Sequence, residues 1–233
     1  PQGLVVNEDD AVEIPEMFTG YVEEENPEID RIMEQALQEV ALPSGFNGYQ
    51  SGDENYLFQQ MCAIWYVLQQ TGVSYSNATQ IPGQAEDVRV QNVRFFSQAL
   101  ASAQANCVEG TYMLASIYQR FDLFPYLILK PNHMFLGIGD ANGDLTYFLE
   151  TTMIGNVRLD ALTTAEEKWE ASKANFKNAM AVAKEEFDEV KSRVDAGDPY
   201  YAVIDLKEAR KTIPSINYGS VRTDSKGKVM LVR

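Results

Sequence analysis

The chain has 233 residues, 45% hydrophobic and 23% charged, enough to bury a sizeable core within one large soluble domain. A formal net charge of −15 argues against a surface built for nucleic-acid backbones or anionic membranes, both of which call for clustered basic side chains. No apolar run reaches the roughly 18 residues that suggest a membrane-spanning helix, and two cysteines give no disulfide framework.

Residues 1–25 read as an extended acidic lead-in to a single domain over residues 26–233. Between residues 8 and 39 acids such as Glu8, Asp9, Asp10, Glu23, Glu24 and Glu25 stand against Arg31 alone, a pattern that could attract a basic partner but is more often a solvated arm that keeps a protein soluble. The chain starts at Pro1 rather than Met, so an upstream signal peptide or domain is expected to have been removed, which favours an exported or cell-envelope protein over a cytoplasmic one.

Asn26-Pro27 opens a helix, Asn26 as cap and Pro27 at the first helical position. Ile29, Ile32, Met33, Ala36, Leu37 and Val40 recur at three- and four-residue steps along one apolar face. A Gly-rich loop from Pro43 to Gly52 follows, and its Tyr49 and Gln50 are expected along a substrate cleft. The next helix, Glu54 to Gln70, has an apolar face wide enough to bury Cys62 as a structural residue, with Gly72 ending it. Residues 73–87 read as a connecting loop carrying the sequon Asn77-Ala78-Thr79. A short strand is predicted from Asp87 to Phe95, with Gln91 in it, then a brief helix from Ser97 to Ser102.

The stretch from Asn106 to Glu150 holds one of the two cysteines, the only histidine, and a carboxylate closing an alternating apolar run. Asn106 suits a helix N-cap. Cys107 then occupies the first helical position, where unpaired amides and the helix dipole favour a thiolate. The helix should run to about Phe121 and be followed by three short strands, His133 between the first two and Glu150 at the tail of the third. A thiol, an imidazole and an orienting carboxylate are what covalent acyl transfer requires. Each residue alone has a simpler reading, a small buried hydrophobe for Cys107 and a packed core ring for His133. The scarcity of both residue types makes their combination informative.

Asp140-Ala141-Asn142-Gly143-Asp144 suggests calcium, but its glycine and acids are out of register for an EF-hand loop, and Asn142-Gly143 between apolar segments reads as a hairpin turn. No metal site and no cofactor are assigned. Thr163 with Glu166 reads as a capping box for a long helix to about Val194. Its seam of Trp169, Phe176, Met180, Ala183, Phe187, Val190 and Val194 is expected to pack along the helix's own domain rather than in a coiled coil. A strand from Pro199 to Leu206, a helical turn from Lys207 to Lys211 and a last strand from Lys228 to Val232 complete the chain.

Asn-Cys-x-x-Gly, the later Leu-Lys-Pro-Asn-His-Met-Phe-Leu-Gly-Ile and Glu-Thr-Thr together resemble the transglutaminase-like superfamily, a circularly rearranged relative of the papain-like cysteine proteases. The resemblance is closest to a bacterial branch found beside helicase and nuclease domains. NPEIDRIMEQAL, GFNGYQ, QQMCAIWYVLQQTGVSY, QNVRF and YYAVIDLKEAR match segments of that branch in order, covering about residues 26–213. It implies an α+β papain-like fold, a catalytic helix packed on a small antiparallel sheet, with a long C-terminal helix added. It also implies Cys107 as nucleophile, His133 as base and Glu150 as orienting acid. Gln91, Asn106, Asn132, Tyr49 and Gln50 are weaker candidates for substrate or oxyanion contact. Ala103, Gln104 and Ala105 stand where the family often has glycines, Glu109 where it has Asp, and Asn132 where it has Gly. Two classes of function follow. One is a thiol enzyme acting on a protein or peptide amide, hydrolysis ahead of acyl transfer. The other is a non-catalytic module of the same family that binds a protein or peptide.

Overall fold

The computed structural model describes residues 3–5, 15–76, 90–216, 221–223 and 229–231; the predicted sequon at residues 77–79 and residues 1–2 and 6–14 of the acidic lead-in lie outside the described residues. The segments at 3–5, 90–92, 221–223 and 229–231 are described by their backbone alone.

The core of the fold is a four-stranded antiparallel sheet in the order β7-β6-β5-β8, built from β5 (Pro125–Lys130), β6 (His133–Gly139), β7 (Leu145–Leu149) and β8 (Ala202–Asp205). Its two faces carry different apolar sets, because successive side chains of a strand point to opposite sides. Leu127, Met134, Leu136, Ile138 and Leu149 join a main core with the helices α1 (Pro27–Glu39), α2 (Glu54–Gln70) and α4 (Cys107–Arg120). Ile128, Phe135 and Phe148 form a second cluster with Ala183 and Val190 of α5 (Ala165–Asp195). The architecture is thus α+β, with the sheet sandwiched between α4 and the second half of α5.

Local chemistry sets most helix ends. The Asn26 side chain accepts from Glu28 N–H (3.0 Å) ahead of Pro27 in α1, and the Asp53 side chain accepts from Asn55 N–H (2.8 Å) to start α2. α5 begins one residue later than the predicted box, with Thr164 as cap and Glu167 answering it, because Glu167 reaches the amides of both Thr163 and Thr164. Its first half packs on α2: Trp65 donates its indole N–H to Asn175 (2.9 Å), and the Trp65 and Phe176 rings meet edge-on at 5.6 Å. α5 therefore spends its apolar seam within its own domain.

Short elements complete the frame. β2 (Ser74–Tyr75) pairs in parallel with β4 (Gln104–Ala105), just ahead of α4, while α3 (Phe96–Ser102) sits between β3 (Val90–Asn92) and β4. β1 (Gly3–Val5) pairs with β3, so the predicted strand around Gln91 is a three-residue one. α6 (Leu206–Ala209) follows β8, and β9 (Val221–Thr223) pairs with β10 (Val229–Leu231). A 3-10 helix at Pro15–Tyr21 replaces the extended lead-in expected there. It is tied down by Arg210, whose guanidinium donates to Thr19 O, Val22 O and both Glu24 carboxylate oxygens.

No helix among the described residues is long and apolar enough to cross a membrane.

Candidate functional site

Cys107 stands at the first position of α4, behind a reciprocal cap. The Asn106 side chain accepts from Glu109 N–H (2.8 Å) while Glu109 Oε2 accepts from Asn106 N–H (3.0 Å). Glu109 is fully buried and also accepts from Arg94 N–H, Nε and Nη2 at 2.9, 2.9 and 2.7 Å. That bidentate guanidinium contact raises the Arg94 pKa and clamps the segment before α3 onto the start of α4. Glu109 is therefore a structural anchor.

A two-residue turn delivers the histidine. Pro131 and Asn132 join β5 to β6, and Asn132 has φ of +62°, the left-handed conformation that a type II turn demands at its third position and that Asn tolerates. The turn makes Lys130 and His133 a directly opposed pair at the end of the ladder, so their side chains leave the sheet on the same face. His133 is the first residue of β6 rather than part of the connection. Its ring stacks on Phe135 with centroids 6.0 Å apart.

His133 Nε2 is 2.6 Å from Glu150 Oε2. Glu150 follows β7 directly and is only 4% exposed; its other oxygen accepts from the Thr152 amide (2.9 Å) and hydroxyl, so the carboxylate caps the 3-10 helix at Thr151–Asn156 and is fixed in direction. The Cys107 side chain is close enough to the imidazole to raise its pKa, as Glu150 does, so the thiol, imidazole and carboxylate form one interacting row.

The electrostatics follow from that row. Burial alone would lower the imidazole pKa, but the neighbouring Cys107 and the hydrogen-bonded, charged Glu150 outweigh it and push His133 from 6.5 up to about 10. Burial alone would raise Glu150, yet the His133 and Thr152 hydrogen bonds prevail and hold it below the usual glutamate range. Cys62 differs: it is fully buried in α2, and desolvation pushes its thiol from 9.0 up to about 12. Both cysteines are free thiols.

Hydroxyls stitch the three carriers together. Thr111 Oγ1, one turn into α4, donates either to Cys107 O (2.7 Å) or to Met134 O of β6 (3.2 Å) and lies 3.2 Å from Thr151 Oγ1, beside Glu150. Gly110 permits this approach, since a Cβ there would stand 3.1 Å from Thr151 Oγ1 and 3.3 Å from Thr151 Cβ. Gly110 and Thr151 fall within the Asn-Cys-x-x-Gly and Glu-Thr-Thr stretches, but their contact, like the role of Thr111, depends on which strand lies beside α4.

The weaker candidates divide. Asn106 is 4% exposed, and its Nδ2 is buried without a hydrogen-bond partner one residue from the cysteine. Asn132 sits in the turn beside His133 as an exposed residue. Tyr49 is not brought to the site: it donates to Gly139 O (2.6 Å) at the far end of β6 from His133 and stacks on Phe124, and Gln50 follows it in the chain as an exposed residue. The 3-10 turn at Gly48–Ser51 explains this, because the Gln60 side chain takes up its backbone and directs Tyr49 away from the row. The backbone of Gln91 lies in β3; its side chain is outside the described residues.

One further residue reaches the imidazole, and it comes from α5. Glu186 Oε2 is 3.7 Å from His133 Nε2 and 2.9 Å from Lys130 Nζ. His133, Glu150 and Glu186 thereby bring ligand-type atoms within 4.8 Å of one another. Their charges are already matched by the His133–Glu150 hydrogen bond and the Lys130 ammonium, and we read the group as an ion-pair network. Comparison with protein-family models, with curated proteins and with solved structures finds no match for the chain.

Proposed function

We propose that the chain is a thiol-dependent enzyme of the transglutaminase-like, papain-like kind that cleaves an amide of a protein or peptide, with Cys107 as nucleophile. The observation that carries this reading is the chain's one imidazole, hydrogen-bonded to a buried, direction-fixed carboxylate and raised in pKa by a helix-start cysteine beside it. In the first half-reaction the Cys107 sulfur attacks the amide carbonyl carbon and His133 transfers a proton to the leaving nitrogen. The C–N bond breaks, leaving an acyl thioester and a free amine. In the second, water adds to the thioester carbonyl as His133 takes its proton; the C–S bond breaks and the proton returns to sulfur. The products are a carboxylic acid and the thiol. Glu150 holds the ring in one orientation through both halves. The unpaired Nδ2 of Asn106 is the donor we assign to the developing oxyanion. An amine in place of water would make the same site an acyl transferase; we favour hydrolysis because water needs no dedicated site.

The test is covalent labelling with a peptidyl vinyl sulfone followed by peptide mapping. The label should sit on Cys107, with a rate that falls by about 10²–10⁴ in His133→Ala. Equal labelling of Cys107 with and without His133 would leave a non-catalytic protein- or peptide-binding module as the better account.

A further inference from the structure

We propose that Glu186, reaching in from α5, is a second positioning carboxylate for His133, and that Lys130 sets how much of its charge the imidazole feels. The inference deepens the reading above, but its test needs no catalysis.

The geometry singles out Glu186 among the many acids of α5. Its Oε2 lies between two cations, 2.9 Å from Lys130 Nζ and 3.7 Å from His133 Nε2, while Glu150 holds the same nitrogen at 2.6 Å. Lys130 and His133 are fixed as opposed partners by the Pro131-Asn132 turn, so one α5 residue meets both. α5 itself cannot drift, because Ala183 and Val190, to either side of Glu186, are fully buried against the sheet. All four side chains are shielded, with exposures of 21% for Lys130, 19% for His133, 26% for Glu186 and 5% for Glu150, so their charges are weakly screened. The charged and titratable groups around the ring are Cys107 from α4, Glu150 after β7, Lys130 from β5 and Glu186 from α5; Glu189 adds a longer contact of 3.9 Å to Lys130. Lys130 responds to the same arrangement: burial alone would lower its pKa, and the ion pair with Glu186 turns the balance upward.

A purely structural salt bridge and a charge that acts on His133 differ in sign. Glu186→Gln removes an anion facing the imidazolium and should lower the His133 titration midpoint. Lys130→Met removes the cation that offsets Glu186 and should raise it. The experiment follows the ring nitrogens of the single histidine by NMR, in a Cys107→Ala background that removes one ring partner. We expect midpoints displaced by about half to one pH unit in opposite directions. Displacements in the same direction, or none, overturn the proposal. Should Glu186→Gln lose its folded spectrum, Lys130→Met decides alone: a raised midpoint supports the proposal and an unmoved one refutes it. Because the thiol is absent throughout, failure here leaves the Cys107 labelling test untouched, and failure there leaves this one untouched.

Discussion

The most direct test of the site's electrostatics is Glu150→Gln read at His133. The substitution keeps the side-chain shape and an oxygen able to accept from Thr152, so the 3-10 helix at Thr151–Asn156 retains its cap. What it removes is the negative charge 2.6 Å from Nε2. In the native chain the imidazole pKa is pushed from 6.5 up to about 10 by Cys107 and Glu150 against the opposing cost of burial. Loss of one of those two partners should bring the midpoint down by about 1–3 pH units, each unit being worth about 1.4 kcal/mol. The chain has one histidine, so ring-labelled protein gives a single set of signals from pH 5 upward with nothing to disentangle. Linkage gives a second readout. A histidine pKa raised by folding adds stability that is fully present below about 6.5 and is lost as pH climbs through about 10. Glu150, held below 4.5, adds stability present above that value and lost as pH falls through its lower folded pKa. Urea midpoints of the wild type should therefore decline between neutral pH and about 10 more than those of Glu150→Gln. A wild-type histidine that titrates near 6.5, or one unmoved by Glu150→Gln, would refute the reasoning.

Two other substitutions separate structure from chemistry. Cys62→Ala should cost on the order of 1 kcal/mol in urea unfolding, through lost packing in α2, and leave vinyl-sulfone labelling of Cys107 unchanged; label found on Cys62 instead would dismiss the proposed nucleophile. Gly110→Ala has no backbone strain to relieve, and its new methyl meets Thr151, which is 2% exposed and hydrogen-bonded beside Glu150. We expect that crowding to outweigh the helix-propensity gain by roughly 1 kcal/mol and to slow labelling of Cys107; a more stable variant with unchanged labelling would show that Thr151 yields freely.

What the sequence by itself determined is local. Asn26-Pro27 and Asp53 mark helix starts because a short polar side chain answers the amides two residues on, and those signals need no partner from elsewhere in the chain. Asn106 and Cys107 could be placed at the start of α4 for the same reason, and the alternation over β5 to β7 separates two faces of one sheet. Tertiary structure decided what those faces meet. The seam of α5 suits a coiled coil as well as a sheet, and only the placement of Phe135 and Phe148 opposite Ala183 and Val190 selects the sheet. Tyr49 could not be positioned from its loop, because Gln60 and Gly139, which direct it, belong to other elements. Glu186 was one acid among many on a helix rich in them. It acquires a role only because the Pro131-Asn132 turn sets Lys130 beside His133, and α5 crosses the sheet at that end. Caps and turns are written in neighbouring residues, whereas the surroundings of a charge depend on contacts between segments far apart in the chain.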